Sequence, residues 1–355
     1  MGKRHIVGKL SFAFVTALTV EAVAASTPIF DSGPAVIQAS SSTSFPDPST
    51  VIFAHQGGIP YIISRTPVNG DWGWYKTSGH HHTIAGGYDG DPTALYIPGT
   101  DQILTCGHSA TSPGYMFCTR LRKADRDHFP NVYGPDQVGV GTFYPGSNPV
   151  LVDGGLGVYL YLFARGTNNQ IWYAVYTIST HSWVGWYQIP SPPGDTFASD
   201  PGAAATDSSD HVMVCARLQS NQQVACNKLY GGWGTWSTVQ NQPATAFKPG
   251  MAKGYSSMLL FGVRENVSPN HDLAYTTSPT GGNAGLWGTY VAPVGGGYNL
   301  SSGPSVVVNR ALPQPRALAA ARGGDNAFWY IVGSPAANGD PAAAGSTARR
   351  GNRAG

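Results

Sequence analysis

The chain has 355 residues, among them 46 Gly and 27 Pro, with 41% apolar residues, 11% charged residues and a formal net charge of +2. So many turn formers, with glutamate only at Glu21 and Glu265, exclude a helix-built protein, and the apolar share excludes a disordered one. Residues 1–25 and 334–355 each carry three basic and one acidic residue; without them 15 basic residues face 17 acidic ones, which speaks against a grip on nucleic-acid phosphates.

Residues 1–25 have the form of an export signal. Lys3, Arg4 and Lys9 make a charged start, residues 10–20 are apolar, and Ala22-Val23-Ala24 suits a small-residue cleavage site. The apolar stretch is shorter than the roughly 20 residues a bilayer span requires, and no later segment is long enough either. The mature protein is therefore expected outside the cytoplasm, with a folded domain over 26–333.

A pattern then recurs six times. Each copy opens on a proline, Pro34, Pro92, Pro149, Pro201, Pro249 and Pro304, at spacings of 58, 57, 52, 48 and 55 residues. Some 15 to 21 residues later an apolar run ends on a basic residue: His55, His108, Arg165, Arg217, Arg264 and Arg322. A period of this length marks a repeat architecture, whose units bury their apolar faces only against one another.

In the first copy Trp72 and Trp74 occupy the last strand position, and the Gly-rich connection after it holds His80-His81-His82. Consecutive histidines rarely all reach one ion, so this stretch reads as a solvated loop and no cofactor is expected. The second copy has Cys106 two residues before His108, with Cys118 beyond, and lacks the tryptophan pair. The third copy shows the unit most plainly. Strands are predicted over 150–154, 158–164, 171–176 and 183–187, with RGTNNQ as a turn between the second and third. The fourth repeats the cysteines as Cys215, two before Arg217, and Cys226. Each pair is read as a disulfide across a hairpin, with a zinc site as the alternative. The fifth copy holds Trp287 and Tyr290, and sequons begin at Asn266 and Asn299. The sixth ends after Trp329 and Tyr330, with no fourth strand evident. Residues 27–30 (TPIF) are the expected donor of that strand, and residues 334–355, rich in Ala, Gly and Pro, are expected to form a flexible tail.

Four short antiparallel strands per copy predict an all-β protein, a β-propeller of four-stranded blades, six by the copy count with seven as the alternative. All nine tryptophans fall in the third or fourth strand of a copy. Two rings three residues apart point to opposite faces of an ideal strand unless a bulge intervenes. One ring is then expected between blades and the other in solvent.

The phrases LFARGTNNQIWY (162–173), AARGGDNAFWY (320–330) and Ser199-Asp200-Pro201-Gly202-Ala203-Ala204 resemble the repeat signature of the PLL-type β-propeller lectins. The resemblance spans residues 33–332 and is clearest in copies three, four and six. Six copies also make the plan similar to that of six-bladed fucose-binding lectins. It implies a secreted, multivalent glycan binder with pockets between blades, some of them lost in copies one and two.

The residue chemistry is compatible with that implication. Trp74, Trp186, Trp236 and Tyr290 are candidate stacking platforms for the C–H faces of sugars, and Trp172 and Trp329 are further candidates. Arg165, Arg217, Arg264 and Arg322 either tie down carbonyls of a turn or a neighbouring blade, or donate to sugar hydroxyls through a rigid fork. A glycoside hydrolase or sialidase-like enzyme is the rival, but it needs a carboxylate pair. Glu265 is the single glutamate left after processing, and Asp89, Asp91, Asp153 and Asp200 read as turn residues. No nucleophile elbow or zinc-protease motif is present. A propeller that binds protein partners is the third reading.

Overall fold

A computed structural model describes residues 31–38, 50–56, 59–65, 72–76, 88–97, 99–100, 102–109, 112, 114–122, 131–206, 211–240, 242, 244–254, 257–264, 273–279, 287, 299–309, 316–324, 326, 328–333 and 347–350. Among them every regular element is a strand. Among the described residues no helix is long and apolar enough to cross a membrane.

The strands form six antiparallel sheets among the described residues. Sheet one contains β1 (Ala35–Gln38), β2 (Thr50–Gln56), β3 (Ile59–Arg65) and β4 (Trp72–Lys76). Sheet two contains β5 (Tyr88–Tyr96), β6 (Gln102–Ser109), β7 (Met116–Arg122) and β8 (Asn131–Gln137). Sheet three contains β9 (Val150–Asp153), β10 (Tyr159–Arg165), β11 (Ile171–Thr177) and β12 (Ser182–Gln188), close to the bounds predicted from the third repeat. Sheet four contains β13 (Gly202–Ala205), β14 (Val212–Arg217), β15 (Val224–Leu229) and β16 (Ser237–Thr238). Sheet five has β17 (Gly250–Lys253), β18 (Ser257–Val263) and β19 (Leu273–Pro279); the expected fourth strand around Trp287 and Tyr290 lies outside the described strands. Sheet six contains β20 (Ser305–Asn309), β21 (Arg316–Arg322), β22 (Phe328–Gly333) and β23 (Thr347–Arg350).

The first strand of each sheet touches the first strand of the next, from β1 through β5, β9, β13 and β17 to β20, and β20 touches β1. The repeats thus close into a propeller ring whose inner strands surround an axis. Side-chain hydroxyls and glycines bring those strands together. Leu151 N–H donates to Thr93 Oγ1 (2.9 Å), and Val36 N–H donates to Ser305 Oγ (2.9 Å), so the same bond recurs at the seam between sheets six and one. In copies four and five the residue after the repeat proline is glycine. A Cβ on Gly202 would collide with the Pro249 carbonyl, and one on Gly250 with the Pro304 carbonyl.

The seams are the core. Along β10, Leu160, Leu162 and Ala164 bury into a cluster shared with Leu104 and Met116 of sheet two. The alternate residues Tyr161 and Phe163 bury into a cluster shared with Val212 and Val214 of sheet four. A middle strand is covered on both faces, which is why it reads as a continuous apolar run. Both cysteine pairs are disulfides between directly opposed residues of the two middle strands, with Cα–Cα distances of 4.1 Å. Their sulfurs lie within the seam clusters.

Two expectations are corrected. The strand completing sheet six is β23, which pairs antiparallel with β22; it comes from the region read as a tail. The β22 backbone offers a ladder of N–H and C=O groups, and any extended segment in register satisfies it, whatever its composition. Residues 1–27 and the proposed donor 27–30 lie outside the described residues. The second correction concerns the tryptophans of β12. The pairing of β11 with β12 shifts register between Tyr173 and Val175, so Gly185 and Trp186 together oppose one residue. This bulge turns Trp183 and Trp186 to the same side, where both pack on the seam between sheets two and three.

Candidate functional site

Two regions carry chemistry: the seam tryptophans and one mouth of the ring. At the seams, Trp186 Nε1 donates to Val138 O (2.5 Å) and its ring lies 4.5 Å from Phe143. Trp236 repeats this one sheet on, donating to Pro190 O (2.6 Å) with its ring 4.5 Å from Phe197. Each indole is therefore pinned to the preceding sheet while staying partly exposed. Exposed amides and hydroxyls stand on that preceding sheet. Beside Pro190, Ser191 Oγ donates to Gln170 Oε1 (2.6 Å), and Gln188 Nε2 donates to Ser191 Oγ at 3.4 Å. Trp172 is held within its own hairpin, donating to Asn168 Oδ1 (3.1 Å). The side chains of Trp74 and Trp329, on β4 and β22, and the whole of Tyr290 lie outside the described residues, as do Glu265 and His80 to His82. Among the described residues no group of three or more His, Cys, Asp or Glu side chains is placed to hold a metal ion.

The arginines lie apart from these rings. Arg217 donates to Thr245 O (2.8 Å), on the segment entering sheet five, and to Ala198 O (3.3 Å). Arg165 reaches Phe197 O at 3.4 Å and lies 4.6 Å over the Tyr144 ring. Arg322 Nε donates to Ser301 Oγ (3.2 Å). Of the two roles open to them, these three perform the tying of carbonyls and hydroxyls. Arg264 follows β18 and forms an isolated backbone bridge with Thr245.

Arg165, Arg217 and Arg322 also line a cup of about 390 Å³ at one mouth of the ring. The other lining groups come from the three residues ahead of each repeat proline, among them Asp89, Asp91 and Asp200, which read as turn residues in the sequence. Asp31, Asp89, Asp91 and Asp200 supply carboxylates, and Lys248 an ammonium. A second axial cavity of about 690 Å³, lined by the inner strands, runs beyond it, and Lys248 lines both.

Polar bonds run from sheet to sheet around the mouth. Gly33 N–H donates to Asp91 Oδ1 (2.5 Å), Asp91 N–H donates to Asn148 Oδ1, and Ser147 Oγ donates to Asp200 Oδ1 (2.9 Å). Ser199 Oγ accepts from Arg217 N–H (3.0 Å), as Ser302 Oγ does from Arg322 N–H (2.9 Å). Burial pushes the Asp200 carboxyl above the usual carboxylate range, against the opposing pull of Arg165 and Lys248. His108 is 1% exposed; burial lowers its pKa, against the pull of Asp89, whose Oδ2 lies 3.8 Å from Nδ1. Its Nε2 accepts from Gly114 N–H (3.2 Å), which fixes the proton of the neutral ring on Nδ1.

No protein-family model and no curated protein matches the chain. Several solved structures do. The crystal structure of AofleA from Arthrobotrys oligospora is 13% identical, with 86% of this chain and 83% of that chain covered at a TM-score of 0.57. The SapL1 lectin in complex with alpha methyl fucoside is 14% identical, with 90% and 95% covered at 0.55. The Aleuria aurantia lectin, a fungal lectin with a six-bladed β-propeller fold and a fucose recognition mode, is 12% identical, with 74% and 81% covered at 0.53. At such identities the likeness is one of fold, and the chain has the β-propeller fold of these lectins.

Proposed function

We propose that this protein is a secreted lectin of the PLL-type plan that binds carbohydrate weakly at several seams, with fucosides as the first class to test. The observation that carries the reading is the repeated seam indole. Trp186 and Trp236 are fixed in orientation by an N–H bond to the preceding sheet, backed by a phenylalanine, and partly open. Next to Trp236 stand the amides and hydroxyl of Gln170, Gln188 and Ser191. An aromatic face beside neutral donors and acceptors suits a pyranose, whose C–H face stacks while its hydroxyls bond. Shallow sites repeated around a ring gain strength by multivalency. Pairing of all four cysteines supports export, since structural disulfides persist in oxidising compartments. The fucose-binding lectins of the same fold support the choice of sugar. No catalytic step is proposed.

The test is a glycan array with the mature protein, followed by calorimetry with α-methyl fucoside. Binding of a fucosylated class is expected, with Trp236→Ala and Trp186→Ala each removing a fraction of the sites while the protein stays folded. A blank array from folded protein, or a double variant with full capacity, overturns the reading.

A further inference from the structure

The cup at the mouth of the ring has its charges sorted by arc. Sheets one and two, with the segments that lead into them, supply Asp31, Asp89 and Asp91. Sheets three to six supply Arg165, Arg217, Lys248 and Arg322. Asp200 is the exception, and it is held by Ser147 with Arg165 beside it.

These charges meet without bonding. Lys248 Nζ reaches across to Asp91 Oδ2 but stops at 3.6 Å, and Arg165 Nε stops 3.9 Å from Asp200 Oδ1. Both distances exceed hydrogen-bond length. The side chains are nonetheless largely enclosed, with exposures of 12% and 11% in the first pair and 19% and 9% in the second. Asp91 accepts from Gly33 N–H, Asp200 accepts from Ser147 Oγ and Arg165 donates to Phe197 O instead, so each of these groups keeps further bonding capacity that a ligand can use. Arg165 Nε has no hydrogen-bond partner among the described residues. At the rim, the Asp89 side chain is 44% exposed and gives access from solvent.

We propose that this cup binds a small zwitterion of free-amino-acid size, its ammonium toward Asp89 and Asp91 and its carboxylate toward Lys248, Arg165 and Arg322. A simple anion would complete the basic arc but face the acidic one, and a simple cation the reverse. A neutral sugar would bond to these groups but bring no formal charge to either arc. A molecule with both charges a few ångströms apart satisfies both arcs at once, and about 390 Å³ is ample for it. The site is separate from the seam indoles, so its occupancy and sugar binding are independent.

The experiment is a thermal-shift screen of the mature protein against the twenty standard amino acids. Calorimetry then compares the best hit with its own deaminated and decarboxylated analogues. At least tenfold weaker binding is expected for each analogue. Asp89→Asn, at the exposed rim, and Lys248→Met are each expected to weaken the hit fivefold or more while α-methyl fucoside binding is unchanged. If Lys248→Met does not fold, Asp89→Asn alone decides. Four results overturn the proposal: no amino acid shifts the protein, one analogue binds as tightly as its parent, Asp89→Asn leaves binding intact, or α-methyl fucoside competes with the hit.

Discussion

His108 shows how one side chain couples the fold to pH. It is buried and kept neutral, so its folded pKa lies below the ordinary 6.5. A group of this kind takes up a proton more readily in the unfolded chain. Stability is therefore full above about 6.5 and is lost as the pH falls below that value. Asp200 has the opposite sense: its folded pKa is raised, so its ionisation draws stability down as the pH climbs above the ordinary 3.8. The His108 contribution is accordingly expected to lower the melting temperature between pH 7.5 and 5.5, and His108→Gln to remove that part of the slope; an unchanged slope in the variant contradicts the assignment. The importance of this residue was half legible. Its place at the end of an apolar run marked it as one of six equivalents, but its partner Asp89 sits next to a glycine and reads as a turn. Asp91 and Asp200 likewise read as turn residues, and Lys248 stands in the same place in its copy. Each precedes a repeat proline, a recurrence visible in the sequence, yet only ring closure brings side chains so far apart in the chain around one axis.

At the scale of a strand, β12 departs most from a regular reading. Its alternation places Trp183 and Trp186 on opposite faces, and the bulge at Gly185 and Trp186 puts them on one. Periodicity located the strand to within a residue, but the bulge is set by what the far ring must reach, the Val138 carbonyl of another sheet. Trp186→Phe retains the aromatic contact with Phe143 and removes the N–H bond. A loss of about 1 kcal/mol is expected, read from the urea midpoint at unchanged slope. A loss near zero would mean that the bond contributes nothing to the seam. Serine two residues ahead of the proline, part of the phrase that carries the family resemblance, likewise acquires a mechanism. Ser199 and Ser302 hold the backbone of the basic residues at the ends of β14 and β21.

For the whole molecule, closure of the ring depends on small contacts between inner strands. Ser305→Ala removes the acceptor for Val36 N–H at the seam where the two ends of the domain meet. It is expected to cost about 1–2 kcal/mol, measured by chemical denaturation. Ser182→Ala, which removes only a solvent-exposed bond with Thr180 Oγ1 (2.7 Å), is the control expected to cost less. If both variants match the parent, that hydroxyl is not what joins the ends. The copy count made the ring legible in advance; the source of the last strand was not, because a pairing strand needs only free backbone. The two disulfides, finally, staple the middle hairpins of sheets two and four, on either side of sheet three, and the chain's four cysteines leave none for the other sheets. Cross-links of 11 and 12 residues restrict the unfolded chain only locally. The wheel thus has two stapled sheets and four unstapled ones. The amides of the stapled hairpins, β6–β7 and β14–β15, are expected to be the last to exchange with solvent.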